Sequence, residues 1–314
     1  MHAKNIICFA FVLVLVACMA SPKMQDLPSA RPTTDHSPDG PVRAIILALH
    51  GMNDYRTAFD FVGEYMKERS IRVVAYDQRG FGENPDWGFW PGNDALANDI
   101  IGYVNELKSQ NPDIPIFLLG GSMGAAVAII AKSRAPNLPV DGIILSGPAV
   151  WGGDALNPVY RAVLWLARRI VPNLTLTGHS LKRQASDNID ALIQLGRDPL
   201  VIKETTVAAI GGLVDLMTEA RAQLPTLEGR FFVPRGAKDE IIPPETQADV
   251  ARLLAKQECT TAVYPNGWHM LMRDHQRDVL FADIVAWMDN QELPSGFGEK
   301  CKPQTSEGDL RSQP

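Results

Sequence analysis

This chain of 314 residues has few cysteines, no excess of positive charge and no metal-binding sequence pattern. The four cysteines are too few for a fold built on disulfides, and they form neither a C-x-x-C pair nor a zinc spacing with histidine, so we expect no metal. Thirty Lys and Arg stand against 36 Asp and Glu, a net charge of -6 with no basic stretch, which argues against a nucleic-acid partner. The apolar fraction of 46% nevertheless indicates a globular protein with a sizeable core.

Only one hydrophobic run could meet a membrane, the segment IICFAFVLVLVA at residues 6–17. It is shorter than the roughly 20 residues that span a bilayer core, and it is typical of the apolar region of a secretory signal. The LVAC sequence that ends at Cys18 resembles the bacterial lipobox, which implies cleavage before Cys18 and attachment of lipid to it. The alternative is a plain signal peptide cleaved near Ala17 or Ala20. We predict a signal peptide at 1–17 and a lipid-anchored protein of the bacterial cell envelope, on its periplasmic or cell-surface side.

The remaining chain divides into a tether, a folded body and a tail. Residues 18–41 are rich in Pro, Ser and Asp and predict a flexible tether, and residues 292–314 predict a flexible tail. The folded body at 42–291 alternates helical patterns with apolar runs of strand length. The predicted strands lie at 42–49, 71–76, 114–120, 141–147, 230–236 and 260–265. This alternation predicts a mostly parallel sheet of about six strands with helices on both faces.

One interval, at about 148–227, contains helical patterns and no strand of comparable strength. About 80 residues exceed an ordinary connection between strands, so we interpret this insertion as a helical lid over one end of the sheet. Its segment PVYRAVLWLARRIV at 158–171 carries apolar residues at helical spacing, among them Val163 and Leu166. Those two side chains could line a substrate pocket, or the helix could simply pack on the sheet.

A candidate nucleophile lies in the sequence GGSMG at 120–124, which matches G-x-S-x-G around Ser122. This motif falls where the predicted strand 114–120 ends and a helix begins, the sharp turn that exposes a serine hydroxyl for attack. A glycine-rich turn with a capping serine is the structural alternative.

A serine nucleophile needs a base, and His269 is the best placed of the six histidines because it follows the last predicted strand. The acid that orients it should follow the preceding strand, where Asp239 fits better than the adjacent Glu240. The backbone N–H groups of Met52 and Met123 are the candidate oxyanion donors. Such a triad needs no cofactor.

Five segments of the chain, in this order and spacing, resemble the α/β-hydrolase superfamily and its monoacylglycerol lipase and lysophospholipase branch. They are LALHGMND, YDQRGFGEN, GGSMG, GAKDEIIP and GWH. The similarity runs from about Val42 to Asn290. It implies an α/β-hydrolase fold with an inserted lid, in which Ser122 is the nucleophile, His269 the base and acid, and Asp239 its partner.

The same resemblance implies a serine ester hydrolase that cleaves a single-chain lipid through an acyl-enzyme. A small-ester carboxylesterase, a serine peptidase and a non-catalytic lipid-binding lipoprotein remain as alternatives, because fold does not determine substrate. After export, Cys259 and Cys301 would be the two cysteines without lipid, so they could form a disulfide. Nothing in the sequence indicates the oligomeric state.

Overall fold

The computed structural model describes residues 31–152, 157–177 and 183–302. Within them, one mixed sheet has eight strands: β1 Thr33–His36, β2 Ala44–Leu49, β3 Ile71–Tyr76, β4 Ile116–Gly121, β5 Gly142–Ser146, β8 Arg230–Gly236, β9 Glu258–Tyr264 and β10 Gly298–Lys300. Their order across the sheet is β1-β3-β2-β4-β5-β8-β9-β10. The six inner strands are parallel, and the two edge strands are antiparallel to their neighbours. The predicted α/β class, with a mostly parallel sheet, is confirmed.

Helices cover both faces of this sheet. They are α1 Asp60–Lys67, α2 Asn93–Gln110, α3 Met123–Arg134, α4 Pro158–Ile170, α5 Ile189–Arg197, α6 Val207–Gln223, α7 Pro244–Leu253 and α8 Arg277–Met288. One apolar core lies between the sheet and α2, α3, α6 and α7, and the other lies between the sheet and α1 and α8. The central strands β2, β4 and β5 are predominantly apolar because both of their faces are buried.

The expected six-strand sheet is wrong at both edges. Strand β1 lies inside the predicted tether 18–41 and pairs with β3, with Thr33 opposite Tyr76. Strand β10 lies inside the predicted loose tail 292–314 and pairs with β9. Both segments are polar, and polar residues suit an edge strand because half of its surface faces solvent. Their sequences therefore carry no apolar strand pattern.

A disulfide between Cys259 and Cys301 ties the tail to β9, with 5.3 Å between the two Cα atoms. The N–H of Cys301 also donates to the carbonyl of Cys259 at 2.9 Å. This is the pair of cysteines that the sequence suggested.

The insertion between β5 and β8 carries α4, α5 and α6, and also two short antiparallel strands, β6 Thr175–Thr177 and β7 Glu204–Thr206. The expectation of a purely helical insertion is therefore wrong. Threonine is β-branched and favours extended backbone, which accounts for these strands. Helix α6 is largely buried, whereas α4 buries none of its residues.

No helix among the described residues is long and apolar enough to cross a membrane. The signal-like run at 6–17 and Cys18 lie outside the described residues, so lipid attachment stays a prediction.

Candidate active site

Ser122 occupies the turn between β4 and α3, with a backbone φ of 51° and ψ of -112°. Positive φ is strained for a residue with a side chain, and such strain is concentrated at functional sites. The turn is held from outside by two hydrogen bonds: the Ser122 N–H donates to Ser146 O at 2.9 Å, and Ser122 O accepts from the Ala149 N–H at 3.1 Å. The last residue of β5 and the segment after it therefore fix the serine in place.

The glycines around Ser122 leave room for this turn. A Cβ atom on Gly120 would lie 2.5 Å from the Ala125 backbone, and one on Gly124 would lie 2.1 Å from Leu49 O. Both distances are far below van der Waals contact, so larger residues would displace either α3 or β2.

Asp239 and His269 form a direct pair, with 2.8 Å between Asp239 Oδ2 and His269 Nδ1. The same Asp239 oxygen accepts from Gln247 Nε2 at 2.7 Å. The other oxygen accepts from the N–H groups of Ile241 and Ile242 at 2.8 and 3.0 Å. Burial acts to raise the pKa of Asp239, but the hydrogen bond and charge of His269 and the two backbone donors outweigh it and hold that pKa below its ordinary value.

Ser122 and His269 both line a cavity of about 570 Å³. Gly147, with a φ of 49°, lies against the imidazole, because a Cβ atom there would stand 3.4 Å from His269 Nδ1. The carboxyl ends of β4, β8 and β9 thus bring the three predicted side chains to one edge of the sheet, where parallel sheets usually hold their sites.

His50 orients one of the two predicted oxyanion donors. Its Nε2 accepts from the Gln78 N–H at 3.0 Å, so the proton is on Nδ1, which donates to Gly51 O at 2.8 Å. That carbonyl and the Met52 N–H belong to one trans peptide group and point in opposite directions. The hydrogen bond therefore turns the Met52 N–H away from His50, and Met52 lines the cavity. Burial lowers the pKa of His50 and keeps the ring neutral.

Met123, the other predicted donor, is the first residue of α3. The first N–H groups of a helix have no acceptor within it, so the Met123 N–H is free to bind an oxyanion.

The cavity wall is predominantly apolar. Its apolar members are Met52, Ala58, Phe59, Ala149, Trp151, Ala185, Ile210, Leu213, Val214, Met217, Ile241, Ile242, Met270 and Met272. Asp54 and Arg273 contribute a buried ion pair to the wall. Ser146 also lines it, and its Oγ has no partner among the described residues.

Helix α4 is not part of this wall. Val163 and Leu166, which sequence periodicity had suggested for the pocket, are 61% and 50% exposed. Four residues of α6, among them Leu213 and Met217, line the cavity instead.

Three supporting residues were missed in the sequence: His50, Gln247 and Asp274. Asp274 Oδ2 accepts from the Trp268 N–H at 2.7 Å, next to His269, and burial raises the pKa of this carboxyl. The His-Gly pair after β2 is a local signal that could have identified His50. Gln247 and Asp274 lie eight and six residues from their partners Asp239 and Trp268, but no motif marks them. Among the residues that the structure describes, no group of three or more His, Cys, Asp or Glu side chains could hold a metal ion.

The Hydrolase_4 family model, described as serine aminopeptidase S33, matches residues 40–276. A monoglyceride lipase of Mus musculus is 23% identical over 271 residues, covering 85% of this chain and 88% of that protein. A monoacylglycerol lipase of Mycolicibacterium smegmatis is 22% identical over 260 residues, covering 80% and 90%.

A solved structure of a monoacylglycerol lipase from Paleococcus ferrophilus superposes with a TM-score of 0.71. It is 21% identical and covers 83% of this chain and 99% of that one. The likeness identifies the architecture as the α/β-hydrolase fold.

Proposed function

The chain belongs to the Hydrolase_4 family and is a serine ester hydrolase, and we propose that it cleaves acyl esters of single-chain lipids, either monoacylglycerols or lysophospholipids. The observation that carries the substrate class is the cavity of about 570 Å³ with largely apolar walls, which Ser122 and His269 line. An acyl chain fits such a wall because each buried methylene contributes about 0.8 kcal/mol.

In the proposed reaction, His269 takes the proton of the Ser122 hydroxyl as Oγ attacks the ester carbonyl carbon. The negative charge that develops on the carbonyl oxygen is stabilised by the N–H groups of Met52 and Met123. The carbon–oxygen bond to the alcohol then breaks, and His269 returns the proton to that alcohol. Water, deprotonated by His269, hydrolyses the acyl-enzyme and releases the fatty acid. Asp239 holds the imidazole so that Nδ1 keeps its proton throughout.

The family description names an aminopeptidase, but the wall of the cavity favours a lipid. An aminopeptidase must bind the ammonium group of its substrate, and a free carboxylate beside the nucleophile would serve that purpose. Apart from the triad acid, Asp54 is the one acidic residue among the described residues at the cavity, and Arg273 already pairs with it. A purely lipid-binding protein is disfavoured because binding alone does not require the strained backbone of Ser122.

The surface of α4 supports access to substrate from a lipid assembly. Val159, Tyr160, Val163 and Ile170 are each more than 60% exposed, so this helix presents a large apolar surface. An anchor on Cys18 would keep the enzyme at such a surface. We include this anchor, and a site in the bacterial cell envelope, in the proposal on the strength of the run at 6–17 and the LVAC sequence.

The test is a substrate panel: monoacylglycerols of increasing chain length, an acetate ester and an aminoacyl amide. We expect kcat/KM to rise by up to about fourfold per methylene until the cavity is full, from 0.8 kcal/mol each. The Leu213→Ser variant should lose efficiency on long chains but not on acetate. Leu166→Ser, on exposed α4, is the matched control and should leave hydrolysis of dissolved substrate unchanged. A preference of the wild type for acetate or for the amide would contradict the proposal.

A further inference from the structure

A second pocket of about 560 Å³ shares none of its lining residues with the catalytic cavity. Its walls come from β8 and β9, from α7, and from residues 296–302 of the C-terminal segment. The disulfide of Cys301 and the pairing of β10 with β9 hold that segment in place. Part of the segment that the sequence predicts to be a flexible tail therefore builds one wall of a pocket.

The charge on this pocket is strongly positive. Arg235, Arg252, Lys300 and Lys302 line it, and Glu299 is the one acidic residue among the described residues there. Asp249, which lies outside the lining, pairs with Arg252 at 3.0 Å. The other three cations have no carboxylate within ion-pair distance among the described residues.

Arg235 is the most informative of these residues. It is half-buried on β8, and no acceptor among the described residues binds its guanidinium. Burial lowers the pKa of Arg235, and no neighbouring carboxylate opposes this effect. Partly burying an unpaired guanidinium is unfavourable, so such a group is normally matched by an anion.

We propose that this pocket binds a phosphate group, either of a soluble phosphate ester or of a lipid head group. A guanidinium binds two phosphate oxygens at once, and the ammonium groups of Lys300 and Lys302 supply further charge. Lys300 is the last residue of β10, Lys302 follows two residues later, and both line the pocket. Gln247 lines the pocket and also donates to Asp239, so the two sites share one side chain.

The first experiment is calorimetric titration of the full chain with inorganic phosphate, with chloride at matched ionic strength as the reference. We expect saturable binding to one site that Arg235→Gln weakens at least tenfold. Arg197→Gln removes the same charge from the exposed end of α5 and should leave affinity unchanged. Circular dichroism checks the fold of each variant. Arg235→Lys keeps the positive charge but cannot bind two phosphate oxygens at once in the way a guanidinium does, so it should retain part of the affinity for phosphate.

The second experiment separates the sources of phosphate and tests the wall. Vesicles of phosphatidylcholine with added phosphatidic acid should bind the wild type more than Arg235→Gln if the ligand is a head group. If inorganic phosphate binds but the vesicles bind wild type and Arg235→Gln equally, the ligand is a soluble phosphate ester. Reduction of the disulfide should weaken phosphate binding in either case, because it releases the wall that carries Lys300. Absence of saturable binding, or equal effects of Arg235→Gln and Arg197→Gln, would overturn the proposal.

Discussion

Replacing Gln247 with leucine tests the hydrogen-bond network behind the active site. The Gln247 side chain is 2% exposed, and its Nε2 donates at 2.7 Å to the oxygen of Asp239 that also accepts from His269. The variant removes this donor at little change in volume. A hydrogen bond to a buried charged group contributes about 1.5–3 kcal/mol, so the free energy of unfolding should fall by about 2 kcal/mol at neutral pH.

The pH dependence of that loss has a definite sign. The pKa of Asp239 is lower in the folded protein than its ordinary value of about 3.9, so its stabilising contribution is present above that pH. The contribution is lost as the pH falls through the folded pKa. Gln247→Leu raises that pKa, so the difference in stability between wild type and variant should shrink as the pH falls below about 4.

Urea unfolding over a pH series measures the stability, and ester hydrolysis measures kcat and KM. We expect kcat to fall about tenfold with little change in KM, because Asp239 then holds His269, the proposed base, less firmly. A tenfold change corresponds to about 1.4 kcal/mol. Gln194→Leu, on the exposed face of α5, should change stability by less than about 0.5 kcal/mol. A stability difference for Gln247→Leu that is independent of pH would refute this reasoning.

Three further predictions concern other parts of the fold. Cys301→Ser opens a loop with a sequence separation of 42 residues, so urea unfolding should give a loss of about 4 kcal/mol in the chain-entropy relation; equal stability of the oxidised and reduced wild type would contradict this. His50→Leu frees the peptide group of Met52, so kcat should fall about a hundredfold with the fold intact by circular dichroism, and an unchanged kcat would remove His50 from the oxyanion site. Arg273→Met leaves Asp54 buried without its partner, so the free energy of unfolding should fall by about 3–5 kcal/mol. The double variant with Asp54→Asn should recover part of this loss, and no recovery would exclude the ion pair as its cause.

The inner strands of the sheet could be predicted from sequence because burial on both faces requires continuous apolar runs. The predicted bounds 71–76 and 230–236 coincide with β3 and β8. The edge strands could not be found in this way. Thr33–His36 and Gly298–Lys300 become strands because a neighbouring strand offers free backbone groups, and that is a property of the assembled sheet.

The same distinction applies to the site. Ser122, Asp239 and His269 were predicted because each follows a recognisable strand, and the structure brings them to one edge of the sheet. The wall of the cavity depends on packing between distant segments. The donors Ile241, Ile242 and Gln247 are near Asp239 in sequence, but no motif marks them. Helix α4 has the clearer apolar stripe in the sequence, yet α6 lines the cavity. Periodicity does not identify α6 because a helix that is buried on most sides is apolar nearly all round and shows little periodicity.

The most direct test of the account is to locate the nucleophile by trapping it. The full chain is treated with a fluorophosphonate, which reacts with activated serine, and the digested protein is analysed by mass spectrometry. The account predicts a single adduct on the peptide that contains Ser122, loss of ester hydrolysis in proportion to labelling, and no adduct in Ser122→Ala. Equal labelling of Ser122→Ala, or an adduct on another residue that abolishes hydrolysis, would contradict it.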